Sequence, residues 1–241
     1  MDHGLTVGPI KGIEKDLGKM VNKIALGGAN AILGHVGIPL YAHRGYGPDI
    51  GLILHLSGST SLSPEPNYKV LVSTVLEALK FGADGVSLHV NIGTKTDPEM
   101  LEILGEVSRE CREFGMPLLA MMYPRGENIE DEHDVEVVKA TARVAAELGA
   151  DIVKTNWTGD PETFKEVVKG CMAPVIIAGG EKAGIRNILE ITKESIEVGG
   201  AGVAYGRNVF QAEDPTKLVK ALYYIVHKNF EVDEAMKEVK L

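Results

Sequence analysis

The 241-residue chain has two cysteines and one tryptophan, and aromatic residues make up 5% of it. Cys111 and Cys171 stand far apart without the spacing of a metal knuckle or a redox pair. Neither a disulfide framework nor a thiolate metal site is expected, and both read as reduced thiols in or near the core of a cytoplasmic protein. No apolar run approaches the length of a membrane span, and no secretory leader is expected ahead of the fold. Positive charge is also scarce: 25 Lys and Arg against 34 Asp and Glu leave a net charge of −9. Nucleic-acid surfaces need clustered cations, so nucleic acid is not expected as a partner and small molecules are.

Glycine is abundant, with 28 residues in a composition 44% hydrophobic and 24% charged. That balance suits a loop-punctuated globular chain, and the length suits one α/β domain over residues 1–241. A pattern recurs at Gly28-Ala29, Gly82-Ala83, Gly149-Ala150 and Gly200-Ala201, where a helix-like segment closes on glycine and a short apolar run follows. Such runs read as parallel strands buried on both faces. Further strands fit Leu52 to Leu56, Pro117 to Met122 and Pro174 to Ala178. Asp97-Pro98, Asp160-Pro161 and Asp214-Pro215 each offer an aspartate cap followed by proline at the first helical position. Between them, Val138, Ala142, Ala145 and Leu148 recur at helical spacing.

Alternating strands and helices predict a parallel α/β fold, either doubly wound or a (β/α)8 TIM barrel. The barrel is favoured because His35, His55, His89, Tyr123 and Lys154 fall at successive strand exits, the rim where barrel enzymes build their sites. Only seven strands can be counted. Met1-Asp2-His3-Gly4 reads as the exit of a first strand whose body is missing or truncated.

Lys154, at the end of Ile152-Val153-Lys154-Thr155, puts an ammonium where burial is costly. One reading is a Schiff-base nucleophile whose neutral amine burial makes available; the other is a lysine that snorkels to the rim or pairs with a carboxylate. The last two strand exits, Ala178-Gly179-Gly180 and Tyr205-Gly206-Arg207, place glycine where backbone amides can approach an anion, as barrel phosphate sites do. His35, His55 and His89 admit a rival zinc site, against the plainer reading that they bind substrate or loop carbonyls.

Several motifs occur together: Met1-Asp2-His3-Gly4, Gly8-Pro9-Ile10-Lys11-Gly12, His43-Arg44-Gly45-Tyr46-Gly47, His55-Leu56-Ser57-Gly58, Met121-Met122-Tyr123-Pro124-Arg125-Gly126, Val153-Lys154-Thr155 and Gly206-Arg207-Asn208. In this combination the chain resembles the archaeal-type class I aldolases over essentially its whole length. The resemblance is strongest to the branch that makes 2-amino-3,7-dideoxy-D-threo-hept-6-ulosonate on the way to 3-dehydroquinate and the aromatic amino acids. It implies transfer from 6-deoxy-5-ketofructose 1-phosphate to L-aspartate semialdehyde, with no metal and no cofactor. It also implies Lys154 as imine-forming residue, Tyr123 as proton donor and Asp2 as proton acceptor. Substrate contacts are implied at His3, Gly4, Leu5, Thr6, Pro124 and Arg125, phosphate contacts at Gly179, Gly180, Gly206 and Arg207, and a homo-oligomer as the assembly.

The chain departs from the family in lacking a complete first strand, in carrying Glu181 where relatives often have proline, and in having Asn156-Trp157 after the lysine. Two other functions stay open: a fructose-bisphosphate aldolase using the same lysine, and a non-catalytic sugar-phosphate-binding or assembly subunit.

Overall fold

Helix and strand alternate along the chain in the order the glycine-closed runs imply. The computed structural model describes residues 1–45 and 47–241, so Tyr46 of the His43–Gly47 motif lies outside the described residues. The order is α1 (His3–Val7), α2 (Leu17–Gly27), β1 (Ala31–Gly34), α3 (Gly37–Tyr41), β2 (Gly51–His55), β3 (Ser57–Gly58) and β4 (Val70–Leu71). Then follow α4 (Val75–Lys80), β5 (Gly85–Ile92), α5 (Asp97–Phe114), β6 (Leu118–Pro124), α6 (Val135–Glu147) and β7 (Ile152–Thr155). The chain closes with α7 (Pro161–Gly170), β8 (Val175–Ala178), α8 (Ile185–Glu197), β9 (Gly202–Ala204), α9 (Arg207–Phe210), α10 (Pro215–Lys228) and α11 (Val232–Val239).

Among the described residues, seven strands form one sheet in the order β1-β2-β5-β6-β7-β8-β9, every pair parallel. The sheet curls into an open half-barrel with helices outside, in keeping with the barrel with a missing first strand that the sequence predicts. Its edges, β1 and β9, line one cavity together with α2 and α10, which pack against each other. Between sheet and helices lies the main apolar layer, where Phe164 of α7, Leu104 of α5 and Val138 of α6 are fully buried. A second, inner layer is formed by Leu119, Met121 and Tyr123 of β6 against Leu33, Ile53, Ile152 and Ile176. Side chains alternate across a strand, so this inner set fixes which residues face the barrel interior.

Two local expectations change. Thr96, not Asp97, stands before the first turn of α5, and Asp97 Oδ2 instead accepts the Gly93 amide at 2.9 Å, closing the turn after β5. The left-handed residue after α8 is Gly199, with φ +100°, one position before Gly200. Asp160 and Asp214 cap as expected, accepting from Thr163 N at 3.1 Å and Lys217 N at 3.1 Å. The hairpin β3–β4 was not anticipated. Its strands are two residues each, too short to leave an alternation.

Candidate active site

Register places the lysine. Met121 pairs with Lys154, His89 with Met121, and Lys154 with Ile176, so one row runs around the barrel interior. Lys154 lies two residues past Ile152, on the same inward face, and is half-buried. Its Nζ donates to the Met121 thioether at 3.6 Å, a weak acceptor that leaves the amine available for chemistry. No carboxylate salt bridge holds it among the described residues, so the ion-paired alternative finds no partner there.

Tyr123 lies two residues beyond Met121, one layer nearer the rim, and is 6% exposed. The His89 ring packs 4.9 Å from it on one side, and the Arg125 guanidinium sits 4.7 Å over its face. Arg125 Nε donates to Glu132 Oε2 at 3.2 Å.

Asp2 precedes α1, which crosses the barrel mouth. The amino group of Met1 donates to Leu33 O on β1 and lies 3.7 Å from Asp2 Oδ1, while His3 Nδ1 stands 3.3 Å from the same oxygen. Burial pushes the Asp2 carboxyl up, but the His3 contact and the charges of the amino terminus and Lys154 outweigh it and hold it well below the ordinary range. Asp2 is therefore an ionised carboxylate within the field of Lys154. Of the other α1 residues, Thr6 O accepts from Ser61 N at 2.8 Å, Leu5 packs on Gly58 of the hairpin, and Gly4 O accepts from Gly8 N.

The two glycine-marked exits meet. Asn208 Nδ2 donates to Gly179 O at 2.7 Å and to Glu181 O at 3.0 Å, and its Oδ1 accepts Ala183 N at 2.9 Å. Arg207 Nη2 donates to Gly180 O at 3.3 Å. Gly206 lets His3 pack close: a Cβ there would lie 2.5 Å from His3 Cε1, so the ring would have to shift. Gly179, Gly180, Gly206 and Arg207 thus form one cradle beside α1, and the Glu181 side chain is exposed at its margin.

The three histidines do different work. His35 Nδ1 meets His55 O at 3.1 Å, His55 Nδ1 meets Ser87 Oγ at 2.7 Å, and His89 Nε2 meets Asn91 Oδ1 at 2.9 Å. Among the described residues no three His, Cys, Asp or Glu side chains converge as metal ligands. Burial drives the His55 imidazolium pKa down to about 3 and that of His89 well below its ordinary value, so both rings are neutral. Sequence reasoning quoted Asn208 in the Gly206-Arg207-Asn208 motif but gave it no role, because it carries no charge. It also missed Ser57, Asn91 and Lys69, which act through the hairpin. Ser57 Oγ accepts His89 N at 2.9 Å, and Asn91 Nδ2 donates to Asn67 O at 2.7 Å.

An open cavity of about 350 Å³ has Asp2, His3, Lys154 and Gly206 on its walls and Leu33, Ile53, Leu119 and Ile152 beneath them. A curled parallel sheet with an inward lysine, a rim tyrosine and a glycine cradle over the last two strands defines an aldolase. The chain belongs to the DeoC/LacD family aldolases, whose profile matches residues 1–212. It is 44% identical over 236 residues to 2-amino-3,7-dideoxy-D-threo-hept-6-ulosonate synthase 1 of Archaeoglobus fulgidus, covering 98% of this chain and 87% of that one. It is 37% identical to 2-amino-4,5-dihydroxy-6-oxo-7-(phosphonooxy)heptanoate synthase of Streptomyces griseus, covering 95% of this chain and 84% of that one. Among solved structures, a Schiff-base-forming fructose-1,6-bisphosphate aldolase superposes with TM-score 0.88 at 32% identity, covering 94% of this chain and 92% of the other. No helix among the described residues is long and apolar enough to cross a membrane.

Proposed function

We propose that this chain is a lysine-dependent, transaldolase-type synthase that moves a three-carbon fragment of 6-deoxy-5-ketofructose 1-phosphate onto L-aspartate semialdehyde. The observation that carries the reading is Lys154, inward-facing and without a carboxylate partner among the described residues, between a rim tyrosine on β6 and the glycine cradle after β8 and β9. Identity of 44% over 98% of the chain to a synthase of 2-amino-3,7-dideoxy-D-threo-hept-6-ulosonate supports the choice of substrates.

The chemistry follows from the groups present. The Lys154 amine adds to a ketone carbon, water leaves, and a protonated imine results. Its positive nitrogen takes up the electron pair of the breaking C–C bond, giving an enamine instead of a carbanion. Tyr123 exchanges a proton with the hydroxyl at the breaking bond, and Asp2 receives and returns protons at the carbinolamine. The enamine then attacks the aldehyde carbon of the acceptor, and water releases the product from Lys154. Among His3, Gly4, Leu5, Thr6, Pro124 and Arg125, the first four bring substrate under α1 and the last two border it at β6. Gly179, Gly180, Gly206 and Arg207 supply an anion cradle. The reading includes a cytoplasmic homo-oligomer folded as one domain over residues 1–241; Leu26 at 56%, Leu40 at 55% and Tyr41 at 80% exposure on α2 and α3 favour an interface there.

The cradle favours one other reading, a fructose-bisphosphate aldolase, in which the fragment held on lysine keeps its phosphate. A product assay separates the two. With 6-deoxy-5-ketofructose 1-phosphate and L-aspartate semialdehyde together, the seven-carbon amino acid should accumulate; faster cleavage of fructose 1,6-bisphosphate alone would favour the aldolase.

A further inference from the structure

Lys69 is not used by the mechanism above, yet it is 7% exposed. Its Nζ donates to Ser59 Oγ at 2.5 Å and to Pro66 O at 2.9 Å, both neutral oxygens, and ammonium carries a third N–H. No carboxylate stands within salt-bridge distance of it among the described residues, whereas the other lysine of comparable burial, Lys193, has Glu231 at 2.9 Å. The segment that carries Lys69 is fixed to the site: Asn91 holds Asn67, and His89 of the same strand packs on Tyr123, which lies under Arg125. Arg125 spends its Nε on Glu132 and keeps its terminal nitrogens free of hydrogen bonds within the described residues. Burial, and after it the Arg125 guanidinium, lowers the Lys69 pKa, and Asp2 only partly opposes this. Arg125 is half-buried and paired with Glu132, whereas Lys69 is buried against neutral oxygens alone, which is costly unless an anion joins it.

We infer that Lys69 and Arg125 form a second anion site, on the β5–β6 side of Lys154, that holds the anionic end of the aldehyde in this reaction. The inference rests on the imine reading above and adds where the two substrate halves lie. In sheet order Lys154 on β7 separates the glycine cradle, after β8 and β9, from Tyr123, Arg125 and the hairpin. Tyr123 serves the bond that breaks, so the departing half lies on its side. The product 2-amino-3,7-dideoxy-hept-6-ulosonate ends in a methyl ketone, so the transferred fragment is the unphosphorylated end of the donor. The phosphate therefore leaves with the other three carbons as an aldehyde. L-Aspartate semialdehyde then binds to the same enamine carbon, from the same side, with a carboxylate at its far end. One site receives phosphate and carboxylate in turn, and the glycine cradle faces the retained fragment.

The test uses hydroxyacetone, which carries no phosphate, as the donor and compares two acceptors, L-aspartate semialdehyde and 3-aminopropanal, which lacks only the carboxylate, with wild type, Lys69→Met and Lys69→Arg. Lys69→Met should raise the KM for L-aspartate semialdehyde about tenfold or more, the loss of one charged hydrogen bond. Its turnover of 3-aminopropanal should match wild type, and Lys69→Arg should recover most of the loss. Equal losses with both acceptors, or no loss with either, would overturn the site. The intact wild-type enzyme gives a second measurement, because L-2-aminobutyrate should compete with the acceptor and propylamine should not. Equal inhibition by the two amines, or none by either, overturns the site without any variant. Failure of wild type to form a borohydride-stable adduct with hydroxyacetone, the retained fragment, would instead overturn the imine reading beneath it.

Discussion

Lys154 was legible in the sequence because a cation at the end of an apolar strand breaks the pattern around it, and Tyr123, Gly206 and Arg207 were legible from motif and position. Lys69 was not. It lies in an irregular stretch between Ser59 and Val70, where no periodicity tells an inward lysine from a solvated one, and only the fold buries it against Ser59 and Pro66 in the segment that Asn91 holds. Tyr123→Phe removes the phenolic proton while leaving the ring between His89 and Arg125. We expect kcat to fall by about 10²- to 10³-fold, with the lysine adduct still forming, because acid–base help of this kind is worth that much. Rapid-quench measurement of adduct and product separates the two steps; parallel loss of both would contradict the role given to the phenol. Asn208→Ala removes three hydrogen bonds that join the β8 and β9 exits, so the KM for hydroxyacetone, the retained fragment, should rise and stability should fall by about 2 kcal/mol. Urea unfolding and steady-state kinetics read the two effects.

At the scale of elements, four of the seven parallel strands were readable as short apolar runs after a helix-closing glycine, and the other three as apolar runs alone. The β3–β4 hairpin was hidden by its two-residue strands, and the Asp97 cap was misplaced because aspartate before proline also suits a turn that ties back to Gly93. The exits of β5 and β6 approach so closely that a Cβ on Gly126 would lie 1.7 Å from Gly93 O and 2.6 Å from Thr94 N. Neither neighbour is a side chain that can swing away. Gly126→Ala should therefore force the two exits apart, shift Arg125, and cost about 2 kcal/mol or more. An unchanged urea midpoint and an unchanged acceptor KM would show that the approach is looser than described.

For the whole molecule, the buried neutral histidines couple stability to pH. His55 is 3% exposed, and its folded pKa of about 3 lies below the ordinary 6.5. The unfolded chain therefore takes up a proton first as pH falls. The contribution is complete above about pH 6.5 and is lost progressively from there toward pH 3, about 2 kcal/mol of it by pH 5. His55→Asn, with a neutral amide in place of the ring, should flatten this part of the stability profile; an unaltered slope between pH 6.5 and 5 would assign the acid sensitivity elsewhere. The net charge of −9 opposes anionic substrates at long range, so the cations around the mouth, Lys154, Lys69, Arg125 and Arg207, must act locally. Of these, Lys154 carries the central claim. Incubation with 6-deoxy-5-ketofructose 1-phosphate, reduction with borohydride and peptide mapping by mass spectrometry should place a three-carbon adduct, left after loss of the phosphorylated aldehyde, on Lys154. An active enzyme whose adduct sits on another residue, or that yields none, would contradict the account.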